Sequence, residues 1–144
     1  SSSRAVSYPS YEGYFASPLP SGRKTQGLHD RCLCAVDLAA PKGTSILAAA
    51  DGVIQVSHFA EPGVNYRSMF GGFGNFVIID HPNGTWTRYA HMNQVYVREG
   101  MHVTKGQVIG MIGNTGSVSP LPSSAYPDRG THLHFEVHGA RNPF

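Results

Sequence analysis

The chain has 144 residues and a formal net charge of +2, with 40% hydrophobic and 14% charged residues. This length suits one domain with a real hydrophobic core. The mild charge, spread along the chain, argues against a nucleic-acid partner. No segment approaches the roughly 18 apolar residues that cross a bilayer. The low charge with 17 glycines and 10 prolines favours short strands joined by tight turns.

The first 24 residues are rich in serine, proline, glycine and tyrosine and have no period. We therefore predict an N-terminal arm or linker over residues 1–24 and a folded domain over residues 25–144. Three turn signals then predict antiparallel hairpins; they are Asp51-Gly52, Pro82-Asn83-Gly84 and Lys105-Gly106. Heptads, solenoid repeats and convincing amphipathic helices are missing from the pattern. The predicted fold is a mainly β, compact antiparallel domain.

Two long irregular segments, residues 59–74 and 113–130, interrupt the strand pattern. Loops of this length are uncommon inside a compact domain and are often functional. We predict that both segments form the walls of a binding groove.

The last predicted strand lies in "RGTHLHFEVH", residues 129–138. Alternation puts polar side chains on one face: His132, His134, Glu136 and His138. The other face carries Leu133, Phe135 and Val137, which belong in a core. Two imidazoles two residues apart on a strand point to one place, as in many zinc sites. We place His138 outside direct metal contact, and Glu136 either supports the ligands or forms a surface salt bridge.

Further candidate ligands lie elsewhere in the chain. Asp37 enters an apolar extended segment, where a lone carboxylate is costly unless it is paired or bound to a metal. His29 precedes it in the same region. His91 ends the strand "TWTRYAHM", where alternation predicts that it shares a face with Thr87 and Tyr89. Three histidines without a partner motif are predicted to be structural or exposed: His58, His81 and His102.

The ordered motifs resemble a known family. A histidine before Asp37 is followed by "AAPKGTSILAAADGVI", "GNFVIIDHPNGTWTRYAHM", "GMHVTKGQVIGMIGNTG" and "THLHFEV". From about Thr25 to Phe144 this set is similar to the lysostaphin and LytM type of zinc peptidoglycan endopeptidases. The resemblance implies one Zn²⁺ per chain, a peptidoglycan peptide as substrate, and a place in the bacterial cell envelope, periplasmic or secreted. We expect a monomer.

Position by position, the resemblance implies that His29, Asp37 and His134 hold the zinc and that His91 and His132 are the catalytic histidines. One position departs from the family pattern. Many members carry the first ligand four residues before the aspartate, where this chain has Leu33. His29 stands eight residues before Asp37, so we expect the intervening loop to bulge.

Cys32 and Cys34 lie in that same segment. We predict two small, partly buried thiols. A disulfide across one intervening residue closes a strained ring and is a less favoured alternative. A thiolate replacing His29 on the metal is the other alternative.

Three functions stay open from the sequence. The first is a zinc endopeptidase that cuts peptidoglycan cross-links or stem peptides. The second is a degenerate, non-catalytic LytM-type domain that binds or activates another cell-wall hydrolase. The third is a site of three histidines, His91, His132 and His134, of the carbonic-anhydrase kind. The third alternative leaves His29 and Asp37 unexplained.

Overall fold

The computed structural model describes residues 13–29, 34–60 and 65–144. Within them lie nine strands: β1 (Arg23–His29), β2 (Ala35–Ala39), β3 (Ser45–Leu47), β4 (Gly52–His58), β5 (Asn75–Asp80), β6 (Trp86–Val95), β7 (His102–Val103), β8 (Val108–Ile112) and β9 (Leu133–His138). A short 3-10 helix spans Met69–Gly72. Every described strand pair is antiparallel, which confirms the predicted fold class. None of the helical structure in the described ranges is long and apolar enough to span a membrane.

The last strand, β9, lies in the middle of the sheet. The strand order is β1-β2-β9-β6-β5-β4-β7, and β8 pairs with both β3 and β6. In this register His134 lies opposite Asp37 on β2 and opposite Ala90 on β6. The topology therefore brings three distant parts of the chain together at one point of the sheet.

The two faces of β9 differ as the alternation predicted. Leu133, Phe135 and Val137 are at most 1% exposed and belong to the main core. On the opposite face, Phe76, Ile78 and Ala90 form a smaller cluster. This second cluster supports the sheet face that carries the polar row of β9.

Part of the predicted arm packs on the domain. Phe15 and Leu19 are 7% and 1% exposed and belong to the main core. The amide of Ala16 donates to the carbonyl of Ala49 at 2.8 Å, and residues 23 and 24 lie in β1. The packed chain thus begins upstream of residue 25, and residues 1–12 lie outside the described ranges.

Only one of the three turn signals joins a hairpin. Strands β5 and β6 pair across Pro82-Asn83-Gly84, as predicted. The prediction for Asp51-Gly52 is wrong, because β3 pairs with β8 while β4 pairs with β5 and β7. Lys105-Gly106 likewise joins β7 to β8, which do not pair with each other in the described sheet. These turns bond across to each other instead: the Lys105 amide donates to Asp51 Oδ1 at 2.7 Å.

Candidate metal centre

Asp37 and His134 form the centre of the candidate site. They are opposed on β2 and β9, and Asp37 Oδ1 lies 3.3 Å from His134 Nδ1. Their side chains are 14% and 9% exposed. Ligands on a tetrahedral zinc with bonds of about 2.0–2.1 Å stand about 3.3–3.4 Å apart. The pair therefore fits two ligands of one zinc ion.

The backbone of His29 ends β1 beside this pair. His29 lies opposite Ala35, two residues before Asp37 on β2, and Gln26 lies opposite Asp37 itself. Between these two pairings β1 uses one more residue than β2, so an irregularity in β1 takes up part of the unusual spacing. The side chain of His29, with Leu33 and Cys32, lies outside what the structure describes.

The second nitrogen of His134 bonds to Glu136. Nε2 donates to Glu136 Oε2 at 2.7 Å, so the other nitrogen, Nδ1, faces Asp37. Burial alone would lower the pKa of His134, but hydrogen bonds to Asp37 and Glu136 outweigh it and raise this pKa to about 9. In the metal-free protein a proton therefore occupies the position where a metal would bind.

Glu136 is buried rather than at the surface. It is 3% exposed, and its Oε1 accepts hydrogen bonds from Arg88 Nη1 at 3.0 Å and His138 Nε2 at 2.7 Å. Burial alone would raise the pKa of Glu136, but the bonds from His134 and His138 and the charge of Arg88 hold it well below its usual range. The surface salt bridge is thus wrong, and Glu136 supports the candidate ligand His134.

A bulge turns His91 into the groove. Between Tyr89 and Met92, β6 has one residue more than β5 has opposite them, and His91 adopts φ +61° in the left-handed region. The strict alternation, which placed His91 on the face of Thr87 and Tyr89, is wrong at this residue. The His91 ring instead lies beside that of His132, with centroids 4.7 Å apart.

Backbone carbonyls orient both candidate catalytic histidines. His91 Nδ1 donates to the carbonyl of Thr115 at 2.7 Å, and His132 Nδ1 donates to the carbonyl of Gly130 at 2.8 Å. Nε2 of His132 lies 3.9 Å from Asp37 Oδ1. Burial, with the nearby His132, lowers the pKa of His91 to about 3. His91 is therefore neutral at pH 7, with an unprotonated Nε2.

These side chains line a groove of about 460 Å³. Both long segments that we predicted as walls contribute to it, through residues 71–73 and 117–119. A second hollow of about 260 Å³ shares Gln26, Asp37 and His132 with the first and adds Thr25 and Ala39. Asp37 and His132 thus line both hollows, whereas His134 lines the larger one.

The other described histidines do not line either hollow. His58 stacks on Phe76 with ring centroids 5.0 Å apart. His81 is 5% exposed, and its Nδ1 donates to the carbonyl of Asp51 at 2.8 Å. His102 is exposed at the start of β7. His138 contacts Glu136 and does not line the groove.

The cysteine prediction is wrong for Cys34, which is disulfide-bonded. The chain has one other cysteine, Cys32, which lies outside the described ranges. Sγ of Cys34 lies 3.5 Å from His138 Nε2, on the side of Glu136 away from Asp37. Its sulfur is already in a disulfide bond, so Cys34 does not replace His29 as a thiolate ligand in this structure.

Two residues near the site were missed by the sequence analysis. Gln26 lies opposite Asp37 and lines both hollows. Arg88 contacts Glu136 and lies over the ring of Phe73, 4.2 Å from its centroid. The signal for both is the strand register, which the sequence alone does not contain.

Known proteins are similar to this chain in sequence and in fold. Residues 33–144 match the family model described as "Peptidase family M23". A DD-carboxypeptidase/endopeptidase Mpg of Neisseria meningitidis is 40% identical over 71% of this chain and 19% of its own length. The murein hydrolase activator NlpD of Escherichia coli is 34% identical over 71% of this chain and 22% of its own. The chain thus spans about a fifth of the length of these relatives.

Two solved structures show the same fold. The catalytic domain of lysostaphin from Staphylococcus simulans has a TM-score of 0.63 and 25% identity, over 90% of this chain and 89% of that one. A zinc-containing peptidase from Vibrio cholerae has a TM-score of 0.60 and 27% identity, over 94% of this chain and 37% of that one.

Proposed function

The chain belongs to peptidase family M23, and from that premise we propose that it is a zinc-dependent endopeptidase. Its substrates would be peptide bonds in peptidoglycan cross-links or stem peptides, in the bacterial cell envelope. The observation that carries the proposal is the distance of 3.3 Å between Asp37 Oδ1 and His134 Nδ1, which fits two ligands of one zinc ion.

Three residues would hold the zinc: His29, Asp37 and His134. Directly opposed positions of a ladder lie on the same face. Position 29, opposite Ala35, is therefore on the face of Asp37. Zinc bound there would act as a Lewis acid that polarises the scissile carbonyl and lowers the pKa of water. A zinc-containing structural neighbour supports this choice of metal.

His91 and His132 would move the protons. His91 keeps an unprotonated Nε2, which would accept a hydrogen bond from the attacking water and relay its proton to the leaving amine. His132 donates from Nδ1 to the Gly130 carbonyl, so its Nε2 would donate a hydrogen bond to the developing oxyanion when the ring carries a second proton. Both tasks need fixed rings, and the two backbone carbonyls supply that.

The groove suits a peptide of small residues such as glycine and D-alanine. Its walls include Gly71, Gly72, Ser117 and Ser119, which leave room for an extended backbone. Two relatives have the word endopeptidase in their names, one of them as a peptidoglycan DD-endopeptidase, which supports a peptidoglycan peptide as the substrate.

The alternative is a domain that activates another cell-wall hydrolase, and the similarity to a murein hydrolase activator favours it as second candidate. The two functions differ in metal and in chemistry. Only the endopeptidase requires a bound zinc and cuts peptidoglycan by itself.

The test compares zinc content and peptidoglycan cleavage in the wild type and in D37A, H29A, H132A and the exposed control H102A. We expect one zinc per wild-type chain, loss of zinc in D37A and H29A, and wild-type behaviour of H102A. H132A should keep its zinc while cleavage falls about 10²–10⁴-fold. Zinc is measured by elemental analysis and cleavage by mass spectrometry of released peptides.

The other outcomes identify the rivals. A wild type without zinc or cleavage that stimulates a second hydrolase would support the activator. Zinc retained in D37A but lost when His91 is replaced would support the three-histidine site. Either result overturns the endopeptidase.

A further inference from the structure

A row of hydrogen bonds leads from the candidate metal position along β9, away from the groove. His134 Nε2 donates to Glu136 Oε2, and His138 Nε2 donates to Glu136 Oε1, each at 2.7 Å. The ring of His138 stacks on Trp86, with centroids 3.7 Å apart and planes 4° from parallel. Of this row, only His134 lines the groove.

We propose that Glu136 and His138 are positioning residues for the metal ligand His134. Glu136 fixes the rotation and the tautomer of the His134 ring, and His138, held by Trp86, fixes the carboxylate of Glu136. The inference rests on the proposed function, because it takes His134 as a zinc ligand. Carboxylates bonded to ligating histidines orient the ring and raise its basicity.

The contacts of Glu136 specify which oxygen faces His134. Arg88 Nη1 and His138 Nε2 both donate to Oε1, at 3.0 and 2.7 Å, so Oε2 remains for His134. Glu136 is only 3% exposed, and a buried acceptor that loses a donor is not readily compensated by water. Loss of the His138 bond should therefore loosen the carboxylate and, through it, the ligand.

The stack on Trp86 explains why His138 can act as an anchor. Parallel rings at this distance restrict the χ angles of the imidazole, so Nε2 stays aimed at Glu136. Two variants separate the stack from the hydrogen bond: H138F keeps an aromatic ring on Trp86 but has no N–H, and H138Q keeps an amide donor but loses the stack.

The test measures the zinc dissociation constant by chelator competition and the absorption spectrum of the cobalt-substituted protein. We expect E136Q to raise the zinc Kd about 10–100-fold and to shift the cobalt bands. H138F should raise the Kd about three- to tenfold, since Arg88 still holds Oε1, and H138Q should raise it less. The matched control H102F changes an exposed histidine of β7 and should match the wild type.

A purely structural role would give another pattern. H138F would then lower the unfolding midpoint of the metal-free protein while its zinc Kd and cobalt spectrum stayed those of the wild type, which would overturn the inference. If E136Q fails to fold, the H138F and H138Q pair still decides. A wild type that binds no zinc would overturn the proposed function and this inference together, whereas wild-type Kd values in all variants would overturn the inference alone.

Discussion

At the scale of single residues, His134 is protonated on both ring nitrogens at pH 7 in the metal-free protein. Asp37 and Glu136 bond its two nitrogens and, against the effect of burial, raise its pKa to about 9. At pH 7 the ring therefore carries both protons, and one stands where zinc would bind. Metal and proton compete for Nδ1.

We predict that zinc binding at pH 7 releases about one proton from His134. The apparent zinc affinity should rise up to about tenfold per pH unit and level off above about pH 9. Calorimetric titration in buffers of different ionisation enthalpy measures the release, and the H102Q variant serves as the matched control. A binding enthalpy that is the same in every buffer would contradict this prediction.

Residue patterns predicted the polar row of β9 correctly, since alternation depends only on the strand itself. They did not predict the burial of Glu136, because its partner Arg88 stands on a different strand. They also failed at His91, where a bulge reverses the face. Both failures concern cross-strand relations that a single sequence does not contain.

At the scale of elements, the two wall segments of the groove are joined through glycines. The amide of Ser117 donates to the carbonyl of Gly72 at 2.8 Å. Gly116 adopts φ +79°, and a Cβ on it would lie 2.3 Å from the nitrogen of Gly74. The neighbouring Thr115 supplies the carbonyl that holds His91. The contact thus couples the walls to a candidate catalytic ring.

We predict that G116A lowers both stability and peptidoglycan cleavage. The matched control is G84A, which has φ +88° but nothing within 4 Å of the added Cβ. G84A should lower the free energy of unfolding by only about 1–2 kcal/mol, the cost of a side chain at positive φ. G116A should lower it further, because the new Cβ must also push apart the backbones at residues 116 and 74. Urea unfolding gives the stability, and peptide release gives the activity. Equal costs for the two variants would show that the close approach is unimportant.

Turn residues predict turns better than they predict pairing. Asn83-Gly84 joins two strands that pair, while Asp51-Gly52 joins two that do not. Ala48, Ala49 and Ala50, before the Asp51-Gly52 turn, are buried, and the strands that flank this turn pair with other strands, β3 with β8 and β4 with β5 and β7. Local chemistry specifies the bend, and distant packing selects the partner.

At the scale of the whole molecule, the site depends on the insertion of the last strand. β9 lies between β2 and β6, so Asp37, His91 and His134 meet only when the complete sheet has formed. The mainly β class followed from glycine, proline and turn density, and the set of site residues followed from the resemblance. The distances between the site residues and the shapes of the two hollows could not be predicted from the sequence, because they depend on the insertion of β9.

Folding lowers the pKa of some buried histidines and raises that of another, so the metal-free protein should have its greatest stability near pH 6.5. Burial lowers the pKa of His81 and that of His91, the latter to about 3. Below pH 6.5 the unfolded chain binds protons that these two exclude, so stability falls as pH falls. The raised pKa of His134 acts in reverse: its contribution is complete below pH 6.5 and is lost as pH rises through about 9.

We therefore predict that the free energy of unfolding, measured by urea titration, decreases on both sides of pH 6.5. Each histidine contributes at most about 1.4 kcal/mol per pH unit. H81Q should flatten the acid side between pH 6.5 and 5.5 without changing the alkaline side, because His81 bonds to Asp51 and Thr87, whereas the alkaline side depends on His134. The exposed H102Q should leave both sides unchanged. An acid side equally steep in H81Q would show that His81 takes up its proton in the folded state as readily as in the unfolded one.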